Sequence, residues 1–186
     1  MSAKLSENSY GNAVRVRTGR VRLSYPHLFE RDQKTGKFGA KLLIPKDDED
    51  TVNIIKEAVK NAKEDGKKRV WGGKEPKNLR SIVGDGDKSD NEEDAGMITI
   101  NAKSSHKIDI YDKDGSPIDD EDDIYAGCWV QAIIEFFPYN NQGAGVSCTL
   151  EGLKKVKDDE KFGGSGFKAS ADDFDDDGDE DDDDII

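Results

Sequence analysis

Apolar and basic residues alternate from Val14 to Tyr25, and the alternation slips phase once, at Thr18-Gly19. No other feature constrains the fold as tightly. Successive side chains of a strand point to opposite faces, so Val14 and Val16 share one face and Arg15 and Arg17 the other. Beyond the glycine the apolar set becomes Val21, Leu23 and Tyr25, with Arg20 and Arg22 opposite. A one-residue slip would turn the apolar set toward solvent unless the strand bends there. The pattern therefore predicts a glycine bulge at the corner of a small, strongly curved barrel.

Phe38 to Ile44 follows the turn Lys34-Thr35-Gly36-Lys37 and stops at Pro45, which predicts a second strand and a hairpin with the first. Over residues 47–65 the period becomes helical. Val52, Ile55, Val59 and Ala62 form one stripe, acids from Asp47 to Asp50 open the segment, and Gly66 is its expected end. From Lys67 to Gly96 no period holds: a basic stretch with Trp71 runs into an acidic one, Asp85 to Asp94, and reads as a long mobile loop. Met97 to Lys103, Lys107 to Tyr111, Tyr125 to Phe137 and the run Val146, Cys148, Leu150 read as strands. The turn Asn140-Asn141-Gln142-Gly143 joins the last two into a hairpin. Short strands, one main α-helix and long loops predict a mainly β, OB-fold-like small β-barrel over residues 1–162, with 1–12 flexible. Residues 163–186 read as a Gly-rich linker and a disordered acidic tail.

Charge is distributed unevenly along this chain. Of the formal net charge of −13, eleven carboxylates lie between Asp172 and Ile186, which leaves −2 for the rest. Residues 1–46 carry ten Lys or Arg against three acids, and Val14 to Leu23 has no acid at all. A basic end and an acidic end on one chain point to a nucleic-acid partner. Arg15, Arg17, Arg20, Arg22, Lys37 and Lys41 are the expected contacts to a phosphate backbone, with Arg69, Lys77 and Arg80 adding to them. Tyr25, Phe29, Trp71 and Tyr139 are the candidates for stacking on unpaired bases, Trp71 being the one expected to be most exposed. If about five phosphates are neutralised, the logarithm of affinity should fall against the logarithm of salt with a slope of about −3.5. Asp181, Asp182, Asp183, Asp184, Ile185 and Ile186 place an apolar tip in a charged field. Such a tip suits a partner protein's apolar pocket beside basic residues, and the same tail is expected to compete with nucleic acid for the basic face.

No stretch approaches the roughly 20 apolar residues of a membrane-spanning helix, and no apolar leader opens the chain, so a soluble, cytoplasmic protein is expected. Cys128 and Cys148 fall inside strand patterns and read as reduced core thiols; with His27 and His106 they lack the spacing of a zinc site. Asp173-x-Asp175-x-Asp177-Gly178 imitates a calcium loop but lacks its final Glu and flanking helices. There is no phosphate loop and no nucleophile beside a base, so neither enzyme activity nor a cofactor or metal is expected. Two competing readings remain: an acidic interaction protein, acting as a DNA mimic or chaperone through the tail, and a metal-dependent nuclease using Asp85, Asp87 or the Asp112–Asp123 cluster. The first would not need an acid-free basic strand, and for the second no constellation forms. A homo-oligomer is left open.

The run Arg20-Val-Arg-Leu-Ser-Tyr-Pro-His-Leu-Phe-Glu30, then Lys37-Phe-Gly-Ala-Lys-Leu-Leu-Ile-Pro-Lys46 ahead of a helix, resembles the Enc34-type phage single-stranded DNA-binding proteins, formerly a domain of unknown function. Gly127-Cys-Trp-Val130, Phe136-Phe-Pro-Tyr139, Gly145-Val-Ser147 and Leu153-Lys-Lys-Val-Lys157 extend the likeness over roughly residues 12–165. The resemblance implies an oligonucleotide-binding barrel that coats single-stranded DNA in replication, recombination or repair. It also implies an acidic C-terminus for contacts with replication or recombination proteins. Related acidic tails often end on an aromatic, where this chain has Ile185-Ile186.

Overall fold

A computed structural model describes residues 2–163. Ten strands and one long helix follow in the order β1 (Lys4–Glu7), β2 (Ala13–Arg17), β3 (Val21–His27), β4 (Phe38–Pro45), α1 (Glu49–Arg69), β5 (Arg80–Ser81), β6 (Val83–Asp85), β7 (Met97–Ser104), β8 (Asp109–Tyr111), β9 (Trp129–Asn140) and β10 (Ala144–Lys157). Five of them close a ring, β9-β3-β4-β7-β10 and back to β9. All its pairings are antiparallel except β7 with β10, which meet in parallel through Lys103 and Thr149 alone. This is the mainly β, OB-like architecture expected, though the thin parallel joint keeps the ring from being a clean barrel.

The phase slip is a structural corner. β2 ends at Arg17, Thr18 and Gly19 are buried, and β3 restarts at Val21 with the opposite parity. Val14, Val16, Val21 and Leu23 thereby all point inward, together with Leu42, Ile44, Ile100, Val130, Ile134, Phe136 and Leu150. Two groups of hydrogen bonds fix the bend. Thr18 Oγ1 donates to the Gly19 carbonyl (2.8 Å) and accepts from the Ala132 amide (3.0 Å). The Gly19 amide donates to Thr51 Oγ1 (3.0 Å) in the first turn of α1, where Asp48 caps by accepting from the Thr51 amide. The helix packs on β2 and β9 by its Val52, Ile55, Ala58 and Ala62 stripe.

Three sequence expectations change here. Gly66 does not end the helix, which runs on to Arg69 with Lys67, Lys68 and Arg69 favourably placed in its last turn. Gly66 is instead a packing position: a Cβ there would lie 2.6 Å from the Trp71 ring and 2.8 Å from Pro138, so only hydrogen lets the indole close over the helix end. Lys4–Glu7, expected to be flexible, is an edge strand on β2, with Lys4 opposite Arg17. The stretch from Lys67 to Gly96 carries β5 and β6, paired with β10 and β7 respectively. The Gly-rich linker beyond Gly163 and the acidic tail lie outside the described residues.

Candidate nucleic-acid interface

Opposite the core, the outward faces of β3, β4 and β7 form a shallow groove. Pairing register sets its rows: Ser24 beside Lys41 beside Asn101, then His27 beside Gly39 beside Lys103. Tyr25, Asp32, Thr35, Lys37, Phe38, Ala40 and Ala102 complete the lining. The register of β3 breaks between Ser24 and His27, and Tyr25 takes a left-handed backbone there (φ +43°). That conformation turns the tyrosine out of the apolar series it belongs to by parity and leaves it 56% exposed. Gly39 keeps the floor bare. A Cβ on it would stand 2.5 Å from the Ala102 carbonyl oxygen, so β4 and β7 approach closely only because position 39 has no side chain.

The charges of the groove are not equivalent. Lys37 and Lys103 are exposed and have no ion pair among the described residues. Lys41 is paired with Oδ2 of Asp94, whose carboxylate is fully buried and whose Oδ1 has no hydrogen-bond partner among the described residues. A buried carboxylate is costly without a counter-charge, so the Lys41 ammonium is balanced locally and contributes little attraction at a distance. It also stands 5.8 Å from the centroid of the Tyr25 ring. Arg31 lies over Phe38 (4.8 Å) and donates to the Gly36 carbonyl, which holds the β3–β4 loop at the groove's edge. His27 Nε2 is 3.7 Å from Asp32 Oδ2.

The four arginines of the basic strand do not form one phosphate-tracking face. Arg15 is shared between Glu135 and Glu151, at 3.4 and 3.0 Å. Burial and the neighbouring Glu151 push the Glu135 carboxyl above its usual range, against the pull of Arg15. Arg17 donates to the Ser2 carbonyl. Arg20 is exposed at the corner, away from the groove lining. Arg22 is taken up by the segment after β10: it donates to the Gly127 and Glu160 carbonyls, pairs with Asp159 at 3.6 Å and stacks under Phe162 at 4.4 Å. The same segment is tied down by Trp129 Nε1 donating to Asp159 and by Tyr125 and Lys155 meeting Asp158. The Trp129 bond, then the Glu160 amide, hold the Asp159 carboxyl below its ordinary range; Lys155 and Tyr125 do so for Asp158. The alternation placed these arginines outside the core correctly, but outside the core is not the same as free.

The remaining candidates scatter. Trp71, expected to be exposed, is half-buried against Gly66 and Pro138 and donates from Nε1 to the Tyr139 carbonyl (3.0 Å). Tyr139 is half-buried beside Gly145. Phe29 packs at the edge of the core. Arg69 makes a bidentate pair with Asp65, at 2.6 Å twice, which holds that carboxyl low. Arg80 donates to the Gln142 carbonyl and so anchors the β9–β10 turn, and Lys77 is exposed in the loop before it. Of the predicted set, the groove gathers Tyr25, Lys37 and Lys41. Sequence reasoning passed over Asn101, Lys103 and His27, although Asn101 and Lys103 fall on alternate positions of a strand whose intervening Ile100 and Ala102 are apolar. Asp85 and Asp87, the nuclease candidates, both accept from Lys46 at 2.6 Å. The tail residues Asp181 to Ile186 lie outside the described residues.

Residues 14–186 match the family described as Enterobacter phage Enc34, ssDNA-binding protein. The p50 protein of Acyrthosiphon pisum secondary endosymbiont phage 1 is 33% identical over 177 residues, 88% of this chain and 94% of p50. Among solved structures, the single-stranded DNA-binding protein of bacteriophage Enc34 in complex with ssDNA is similar at a TM-score of 0.71 and 26% identity. That match covers 86% of this chain and 97% of the other. The gp2.5 single-stranded DNA-binding protein encoded by bacteriophage T7 shares the fold at a TM-score of 0.55 and 15% identity, over 83% of this chain and 98% of its own.

Proposed function

The chain belongs to the family of the Enterobacter phage Enc34 single-stranded DNA-binding protein, and on that premise we propose that it is a phage protein that binds single-stranded DNA without sequence preference. The observation that carries the reading is the groove across β3, β4 and β7. It is floored by backbone at Gly39, edged by the ammonium groups of Lys37 and Lys103, which have no ion pair among the described residues, and flanked by an exposed tyrosine. Flexible lysines attract phosphate as point charges and impose no base identity, which suits coating rather than reading. A duplex keeps its base faces stacked inside, so an aromatic beside the cations favours unpaired strands. The protein acts by binding and carries out no chemistry on its ligand.

The acidic tail completes the proposal. Its eleven carboxylates contact replication, recombination or repair proteins in the host cytoplasm and compete with DNA for the cations of the body. The test is fluorescence anisotropy of labelled single- and double-stranded oligonucleotides, against the full chain and a chain ending at residue 171, at two salt concentrations. Preference for single strands, tightened by removing the tail, is the expected result. Equal affinity for duplex, or no binding by either chain, would overturn it.

A further inference from the structure

We propose that the groove contains a discrete subsite for one unpaired nucleobase, with Tyr25 as its stacking platform and Asn101 and Lys103 at its polar edge. The inference deepens the single-strand reading above and rests on it. Three observations converge. First, Tyr25 is the most exposed aromatic on this face and is held there by a left-handed backbone at a strand bulge. A non-glycine residue in that conformation is strained, and such strain persists where the surroundings over-determine it. Nothing in the core explains it, because the side chain points away from the core. Second, the Lys41 ammonium stands over the ring at 5.8 Å and is itself held by buried Asp94, so the ring is braced by a cation and remains exposed to a ligand. Third, the missing side chain at Gly39 opens the floor of the row His27-Gly39-Lys103, in the same groove as Tyr25, where any other residue of β4 would project a side chain.

The chemistry of the edge is donor-rich. The Lys103 ammonium donates only, and the Asn101 amide can donate or accept, so either can meet a base carbonyl or ring nitrogen without selecting one base. Stacking is tolerant in the same way, since each base has a flat π face. Stacking on Tyr25 and the Asn101 amide therefore supply the part of the affinity that salt does not screen, while the ammonium groups of Lys37 and Lys103 supply the part that salt does.

Tyr25→Gly separates a binding role from a structural one, because glycine adopts the left-handed backbone without cost. The variant is expected to keep or raise the Tm and to bind an oligodeoxythymidine about tenfold or more weakly, with an unchanged salt slope. Its affinity for an abasic phosphodiester of equal length and charge should match that of the unaltered protein. Tyr25→Phe is expected to retain binding to both strands. Tyr25→Gly binding oligodeoxythymidine as tightly as the unaltered protein would overturn the subsite, as would equal losses on the two strands. Failure of the unaltered protein to bind oligodeoxythymidine at all would instead overturn the proposed function, so the two failures are distinguishable.

Discussion

Replacing Lys103 by Gln tests the electrostatic part of the interface quantitatively. Counting the six candidates Arg15, Arg17, Arg20, Arg22, Lys37 and Lys41 leads to roughly five neutralised phosphates and a salt slope of about −3.5. The structure cuts the count. Arg15 is committed to Glu135 and Glu151, Arg22 to Asp159, and Lys41 to buried Asp94. What remains around the groove is Arg31, Lys37 and Lys103, none of them ion-paired among the described residues. Three phosphates at about −0.7 each predict a slope near −2.1 for the unaltered body, and Lys103→Gln should bring it to about −1.4. Arg15→Gln should leave the slope unchanged. The assay is anisotropy titration of a labelled oligodeoxythymidine over a decade of salt, using the chain ending at residue 171 so that tail competition does not enter the slope. A slope near −3.5 that shrinks in Arg15→Gln but not in Lys103→Gln would refute the assignment of the groove and restore the basic strand as the phosphate track.

Gly66→Ala should destabilise the fold by about 1–3 kcal/mol despite the better helix propensity of alanine, because the new methyl meets the Trp71 ring and Pro138; denaturant titration reads the difference. Thr18→Val keeps the shape but strands the Ala132 amide in the core, at a cost of about 1–3 kcal/mol, measurable in the same way. Asp65 is held below the ordinary carboxylate range, first by its bonds from Arg69, so its contribution is present above the unfolded aspartate pKa of about 4 and is lost as pH falls through the lower folded value. Asp158 and Asp159 follow the same sign. Tm should accordingly drop as pH is lowered from about 5 to 3, and Asp65→Asn should flatten part of that drop.

Sequence determined the parts of this protein that depend on local period and local chain chemistry. The parity of Val14, Val16, Val21 and Leu23 across Thr18-Gly19 specified a bent strand, because only a bend keeps both halves facing one core. The helix stripe, the β9–β10 hairpin and the placement of Arg15, Arg17 and Arg22 outside the core were readable for the same reason: each is set by neighbours two to four residues apart. Tertiary structure alone decided which polar groups are available. Glu135 and Glu151 reach Arg15 from 120 and 136 residues away, and Asp94 reaches Lys41 from 53, so their effect on free charge has no signature within any window of sequence. Trp71 loses its exposure to a glycine five residues back that looked like a helix stop. Tyr25 gains its exposure from a left-handed backbone at a bulge, which reverses what parity assigns it. Pattern follows from chain geometry, whereas free charge and open aromatic faces are what remains after distant strands have paired.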